Sequence, residues 1–198
     1  MNKKAQRKRI PDLVGSVENI LAVFDKATPR QVAEGVAWYP EGNRIARDIG
    51  EGDIELGAGI LAALSPRVKW SENIAAAYEV KIHGWTTTQL QLNVKKAAAI
   101  RNGAKPLDVL GGKKVRAFYQ AILQPGDQNP AAVIDRHAVA VWVGASLTDD
   151  QMKPLQRVGV YEKIAQAYSD AAALRGVSTH TVQAVTWVAW RESKLTRG

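Results

Sequence analysis

Apolar residues return at three- and four-residue intervals along nearly the whole chain, and the alternation of a half-buried strand never persists beyond a few positions. That periodicity restricts the fold to all-α. At 198 residues and 46% hydrophobic content the chain can bury one sizeable core and has no need to divide into two. The expectation is a basic arm over residues 1–10 followed by a single helical domain over 11–198, with room for two lobes. Pro11 precedes an amphipathic helix over Leu13–Lys26, and Pro29 suits the first turn of a second helix ending near Trp38. Pro40 and Gly42 mark a turn before a short helix through Ile45 and Ile49. Asp53–Leu64 reads as a central core helix, because its small residues let a neighbour pack closely. Ser71 is the expected N-cap of the next helix, which runs through Tyr78. Further helices are expected over Thr87–Arg101, Lys113–Leu123, Pro130–Val143, Arg157–Leu174 and Ser178–Glu192.

Charge narrows the partners. Against 19 Asp and Glu stand 27 Lys and Arg, giving a net charge of +8, which favours a polyanion. Lys3, Lys4, Arg7, Lys8 and Arg9 concentrate part of that excess in the arm, either as a solvated tail or as a phosphate-binding segment. The absence of cysteine excludes disulfides, thiolate metal sites and a cysteine nucleophile. His83, His137 and His180 are too scattered to suggest a metal site, and no cofactor is expected. No stretch of about 18 apolar residues is present to span a bilayer, and no hydrophobic signal core follows the basic arm. A cytoplasmic monomer with no membrane or protein partner is the expectation.

Two segments carry chemistry. In Leu110-Gly111-Gly112-Lys113-Lys114-Val115-Arg116 a glycine pair runs directly into a basic helix. Such glycines let backbone amides approach a phosphate at a helix N-terminus, although for this segment taken alone an ordinary glycine stop before a solvated lysine face is the preferred reading. In Ile134-Asp135-Arg136-His137-Ala138-Val139 an aspartate precedes an apolar helix. It is either an N-cap or a cleft-facing carboxylate that stabilises positive charge on a sugar ring or orients an attacking water.

Together and in this order the segments resemble the helix-hairpin-helix DNA glycosylase superfamily, whose best-known type is endonuclease III. Ile134-Asp135-Arg136-His137 is similar to that family's Val-Asp-Thr-His motif, and Gly112-Lys113-Lys114 to the end of its hairpin; Asp135 follows Lys114 by 21 residues. Upstream, Leu64-Ser65-Pro66-Arg67-Val68-Lys69-Trp70, followed by Asn73, resembles the leucine-serine turn that enters the duplex. The likeness spans about Asp53 to Gly144 and implies a compact two-lobed helical fold. It also implies that DNA is the partner, and that a damaged or modified base is flipped and its N-glycosidic bond cleaved.

The residue roles follow from the same resemblance. Asp135 takes the place of the catalytic aspartate, and Lys114, with Lys113 its equal neighbour, that of the lysine of enzymes with lyase activity. Arg67 and Trp70 would fill the gap in the duplex. Asn73, Gly111, Gly112, Lys113, Arg116, Arg136 and His137 would contact the nucleic acid. The hairpin is shorter than the family's usual loop, and the cysteines of the cluster-bearing branch are missing. Some phage-encoded glycosylase-like proteins alter hypermodified pyrimidines, and this compact chain is similar to them too. A different class of reading is a helical DNA-binding protein in which Asp135 only caps a helix.

The remaining residues are read individually. Trp187 and Trp190 have the spacing of core residues, with one of them able to line a base pocket. Trp38, Trp85 and Trp142 are assigned to the core or a lobe interface. His137, two residues beyond Asp135, would point about 200 degrees away from it on a helix. Arg116 and Arg136 would meet phosphates or local carboxylates such as Asp127, Asp149 and Asp150.

Overall fold

A computed structural model describes residues 11–126 and 132–195. Its elements are α1 (Val17–Phe24), α2 (Pro29–Ile49), α3 (Ile54–Leu64), α4 (Trp70–His83), α5 (Gln91–Arg101), α6 (Pro106–Val109), α7 (Lys113–Leu123), α8 (Arg136–Val143) and α9 (Asp149–Met152). A 3-10 turn over Lys153–Gln156 leads to α10 (Val160–Arg175) and α11 (Thr179–Leu195). No strand occurs among the described residues, so the protein is all-α. The arm, the Asn129-Pro130 start expected for a helix, and Asp127 lie outside the described residues.

Two hydrophobic clusters form. The first joins α2 to α7 around α3, where every residue from Gly57 to Leu64 is buried. The second joins α1, α8, α10 and α11 around Trp142, Ile164 and Tyr168. Close helix approach explains the small residues. A Cβ on Gly57 would sit 1.8 Å from the Ala46 carbonyl oxygen, and one on Gly35 would sit 2.6 Å from the Val185 backbone where α2 crosses α11. No helix among the described residues is long and apolar enough to cross a membrane.

Several boundaries differ from those expected. Helix α2 runs unbroken through Pro40 instead of ending near Trp38. Pro40 and Val36 are both exposed, so the carbonyl deprived of its hydrogen bond faces water. Buried Gly35, Tyr39, Gly42, Ile45 and Ile49 hold both halves of the helix against their neighbours. Helix α1 starts only at Val17, because Ser16 caps it, and the Ser16 amide donates to the Trp142 carbonyl at 3.0 Å. Helix α4 starts at Trp70, with Lys69 rather than Ser71 as its N-cap. Helix α5 begins at Gln91, since Thr86 and Thr88 bond each other in the preceding loop. Helix α8 begins at Arg136, after an extended segment from Ala132 to Asp135. Trp142 is 1% exposed, as a core residue should be, whereas Trp85 is 60% exposed and belongs to neither core nor interface. Trp85 lies on a loop of bends beyond the Gly84 helix stop, so nothing folds over its ring.

Candidate active site

Asp135 sits where two local rules meet. Its backbone is extended, and its Oδ1 accepts the Ala138 amide at 2.8 Å, making it the N-cap of α8. Its Oδ2 accepts the indole N–H of Trp187 at 3.1 Å, from α11. The segment before it is pinned by Tyr161, whose hydroxyl accepts the Ile134 amide at 3.2 Å and donates to the Ala132 carbonyl at 3.0 Å. Burial pushes that phenol up to about 12, so it stays protonated and keeps donating.

The carboxylate faces a cavity of about 820 Å³. Its walls come from the α3–α4 turn, α2, the first turns of α7 and α8, and α11, so three separate sequence motifs open onto one space. Trp38 anchors the aromatic wall, with its ring centroid 4.7 Å from that of Trp187 and 5.9 Å from that of Trp70. Phe118 meets Trp70 edge-on at 6.2 Å. The Arg191 guanidinium lies 4.2 Å from the Trp187 ring centroid.

The expected site residues divide into three groups. Lys114, Asp135, Arg136, His137, Arg67, Trp70 and Asn73 all line the cavity. Lys113 does not: it pairs with Glu162 and faces a second depression of about 500 Å³. Lys114 borders both spaces and Lys113 only the second. Arg116 is occupied with bracing the hairpin, its guanidinium donating to the Leu107 and Leu110 carbonyls at 2.9 Å each. Gly111 and Gly112 are exposed at the start of α7, and Gly112 has a φ of 77°, a conformation that leaves the helix without a capping side chain.

Arg67 lies exposed at the cavity rim with a φ of 66°, a left-handed conformation unusual for a side chain of its size. Asn73 is 1% exposed and holds the turn from beneath, donating to the Leu61 carbonyl at 3.1 Å. Arg136 is exposed and tied outward, to the Leu147 carbonyl and the Asp149 carboxylate.

His137 corrects an expectation. Its ring lies 6.2 Å from that of Trp187, edge-on, and shares the cavity with Asp135 rather than facing the opposite way. The 100-degree step of a helix does not apply across Asp135, whose backbone is not helical. Burial holds the imidazole below its ordinary range, the Asp135 carboxylate raises it in part, and Arg191, Arg136 and Lys114 lower it further.

Sequence reasoning missed Trp187 as a partner of Asp135, and it missed Tyr161 and Gln183. Gln183 is 4% exposed, lines the cavity, and accepts the Tyr39 hydroxyl at 2.5 Å. The only signal available was the position of Gln183 and Trp187 one turn apart on a helix, which marks a shared face and names no partner.

Chemically, the site offers a fixed carboxylate, a nearby amine, stacking surfaces and a cationic rim. Among the described residues no group of His, Cys, Asp or Glu is placed to hold a metal. No curated protein and no solved structure matches the chain. The model of a family of unknown function, DUF7178, matches residues 3–194, and the chain belongs to that family.

Proposed function

We propose that the protein is a DNA glycosylase-like enzyme of the helix-hairpin-helix type, with its two hydrophobic clusters as the two lobes and the cavity as its base pocket. The observation that carries this reading is the convergence of Asp135, Lys114 and the Arg67–Trp70 turn on one aromatic-walled space. DNA binds by its phosphates to the basic surface, and a nucleotide swings into the cavity while Arg67 occupies the vacated position. The C1′–N bond breaks with its electron pair leaving on the base. Positive charge develops on the sugar facing Asp135, and water adds to C1′, its proton passing to the Asp135 carboxylate and from there to the departed base anion. Both Asp135 oxygens keep a free lone-pair direction while bonded to Ala138 and Trp187, so capping and catalysis are compatible.

The test is excision on duplexes carrying a panel of damaged and hypermodified bases, with wild type and Asp135→Asn in parallel. Asparagine caps a helix about as well as aspartate. Loss of excision in a variant that stays folded at the assay temperature supports the reading; the melting temperature itself falls, because one amide oxygen cannot accept from both Ala138 and Trp187. Full activity in the variant removes it, and salt-sensitive binding without turnover in either protein leaves a DNA-binding module.

A further inference from the structure

Gln183, on α11, lines the cavity and is 4% exposed. Its Oε1 accepts the Tyr39 hydroxyl at 2.5 Å. Tyr39 is itself 4% exposed, stacked on His180 with ring centroids 4.8 Å apart, and has no other acceptor for its proton among the described residues. Reversing the amide would turn Oε1 into the cavity and leave that buried hydroxyl proton without a partner. The orientation is therefore fixed: oxygen toward Tyr39, NH2 toward the cavity. The amide nitrogen makes no hydrogen bond to any described residue, and it is not sealed from the cavity. A donor with no partner, set rigidly in a pocket between aromatic rings, selects for an acceptor on whatever enters.

Resting on the glycosylase reading, we propose that Gln183 is the specificity-determining residue of this pocket. Locked by Tyr39 as a donor, it selects a base bearing a keto oxygen over the corresponding amino base. Burial raises the Tyr39 phenol well above its ordinary range, so the hydroxyl keeps its proton and the lock holds at neutral pH. Tyr39 is then a positioning residue and need not touch the base. The discrimination comes from the unpaired group left behind: an amino base presenting its exocyclic edge would set its NH2 against that of Gln183, two donors with no acceptor between them.

The test measures binding of free uracil against cytosine, and of hypoxanthine against adenine, following the Trp187 indole and Gln183 side-chain amide signals by NMR. Wild type is expected to prefer each keto base by about tenfold. Gln183→Glu presents acceptors alone and reverses the preference. Tyr39→Phe keeps the ring and frees the amide, bringing the ratio toward unity. Equal binding of both members of each pair, absence of binding by any of the four, or a preference unchanged in Gln183→Glu overturns the proposal. Asp135→Asn is measured alongside. An excision-active Asp135→Asn protein that retains the keto preference sinks the catalytic reading and leaves the reader standing. An excision-dead one without any preference in its parent does the opposite.

Discussion

The two sides of the cavity are built differently. On the α8–α11 side the polar groups are held: Asp135 by the Ala138 amide and the Trp187 indole, Gln183 by Tyr39, and the extended segment before Asp135 by Tyr161. On the α3–α4 side the rim residue Arg67 is exposed, strained and unbonded among the described residues, and Lys69 pairs only with Glu72 at 3.9 Å across solvent. On the proposed reading, chemistry demands groups fixed to a fraction of an ångström, whereas a side chain that enters and leaves a duplex needs freedom. Side-chain hydrogen bonds fix the groups on one wall, while the rim residue of the other carries none among the described residues.

The contrast can be tested by substitutions on each side. Asp135→Asn should produce the largest effect, lowering excision about a hundred- to ten-thousandfold while the circular dichroism spectrum stays the same. A smaller loss on both walls alike would mean that Asp135 serves structure only. Next, Trp187→Phe removes the indole donor to a charged acceptor and should lower unfolding stability by about 2 kcal/mol, read from urea melts. An unchanged midpoint would show that the ordered wall does not depend on that bond.

Arg67→Gly should separate the walls most clearly, because it relieves a left-handed backbone. Stability should rise by about 0.5–1 kcal/mol while affinity for DNA falls. If stability fell instead, the turn would be as tightly built as the opposite side. The smallest effect concerns His137. Its imidazole is held below its ordinary value of about 6.5, chiefly by burial, so the fold favours the neutral ring. The stability this contributes is present above that value and is lost as pH falls through the depressed folded one. A urea series from about pH 7 to pH 5 should therefore show a few tenths of a kcal/mol more loss in wild type than in His137→Gln. In an NMR titration Asp135→Asn should move the His137 transition lower still, since the carboxylate raises it. No movement would place the two side chains in separate electrostatic surroundings.

Helix content and the central position of α3 could be read from apolar spacing, and the Lys113–Leu123 helix was legible to the residue because a glycine pair precedes it. Pro40 misled because breaker rules assume a buried backbone, and this proline faces water. The motif order picked out Asp135, Lys114 and Arg67, yet it could not tell Lys114 from Lys113. That distinction depends on Glu162, which reaches across from α10. Trp187 and Gln183 stayed hidden because their partners lie 52 and 144 positions away. His137 was misplaced because a helical angle was carried through a cap.

Gly35 carries one more consequence. Its missing side chain sets how near α2 lies to α11, and Trp38 and Tyr39 follow it on one helix while Gln183 and Trp187 flank the contact on the other. The glycine therefore works as a gauge: it determines the width of the pocket from a position outside the lining. A single added methyl there would spread the stacking rings and the reader amide apart without altering any of them. The width of the cavity can thus be changed through one backbone contact while the residues that line it stay the same.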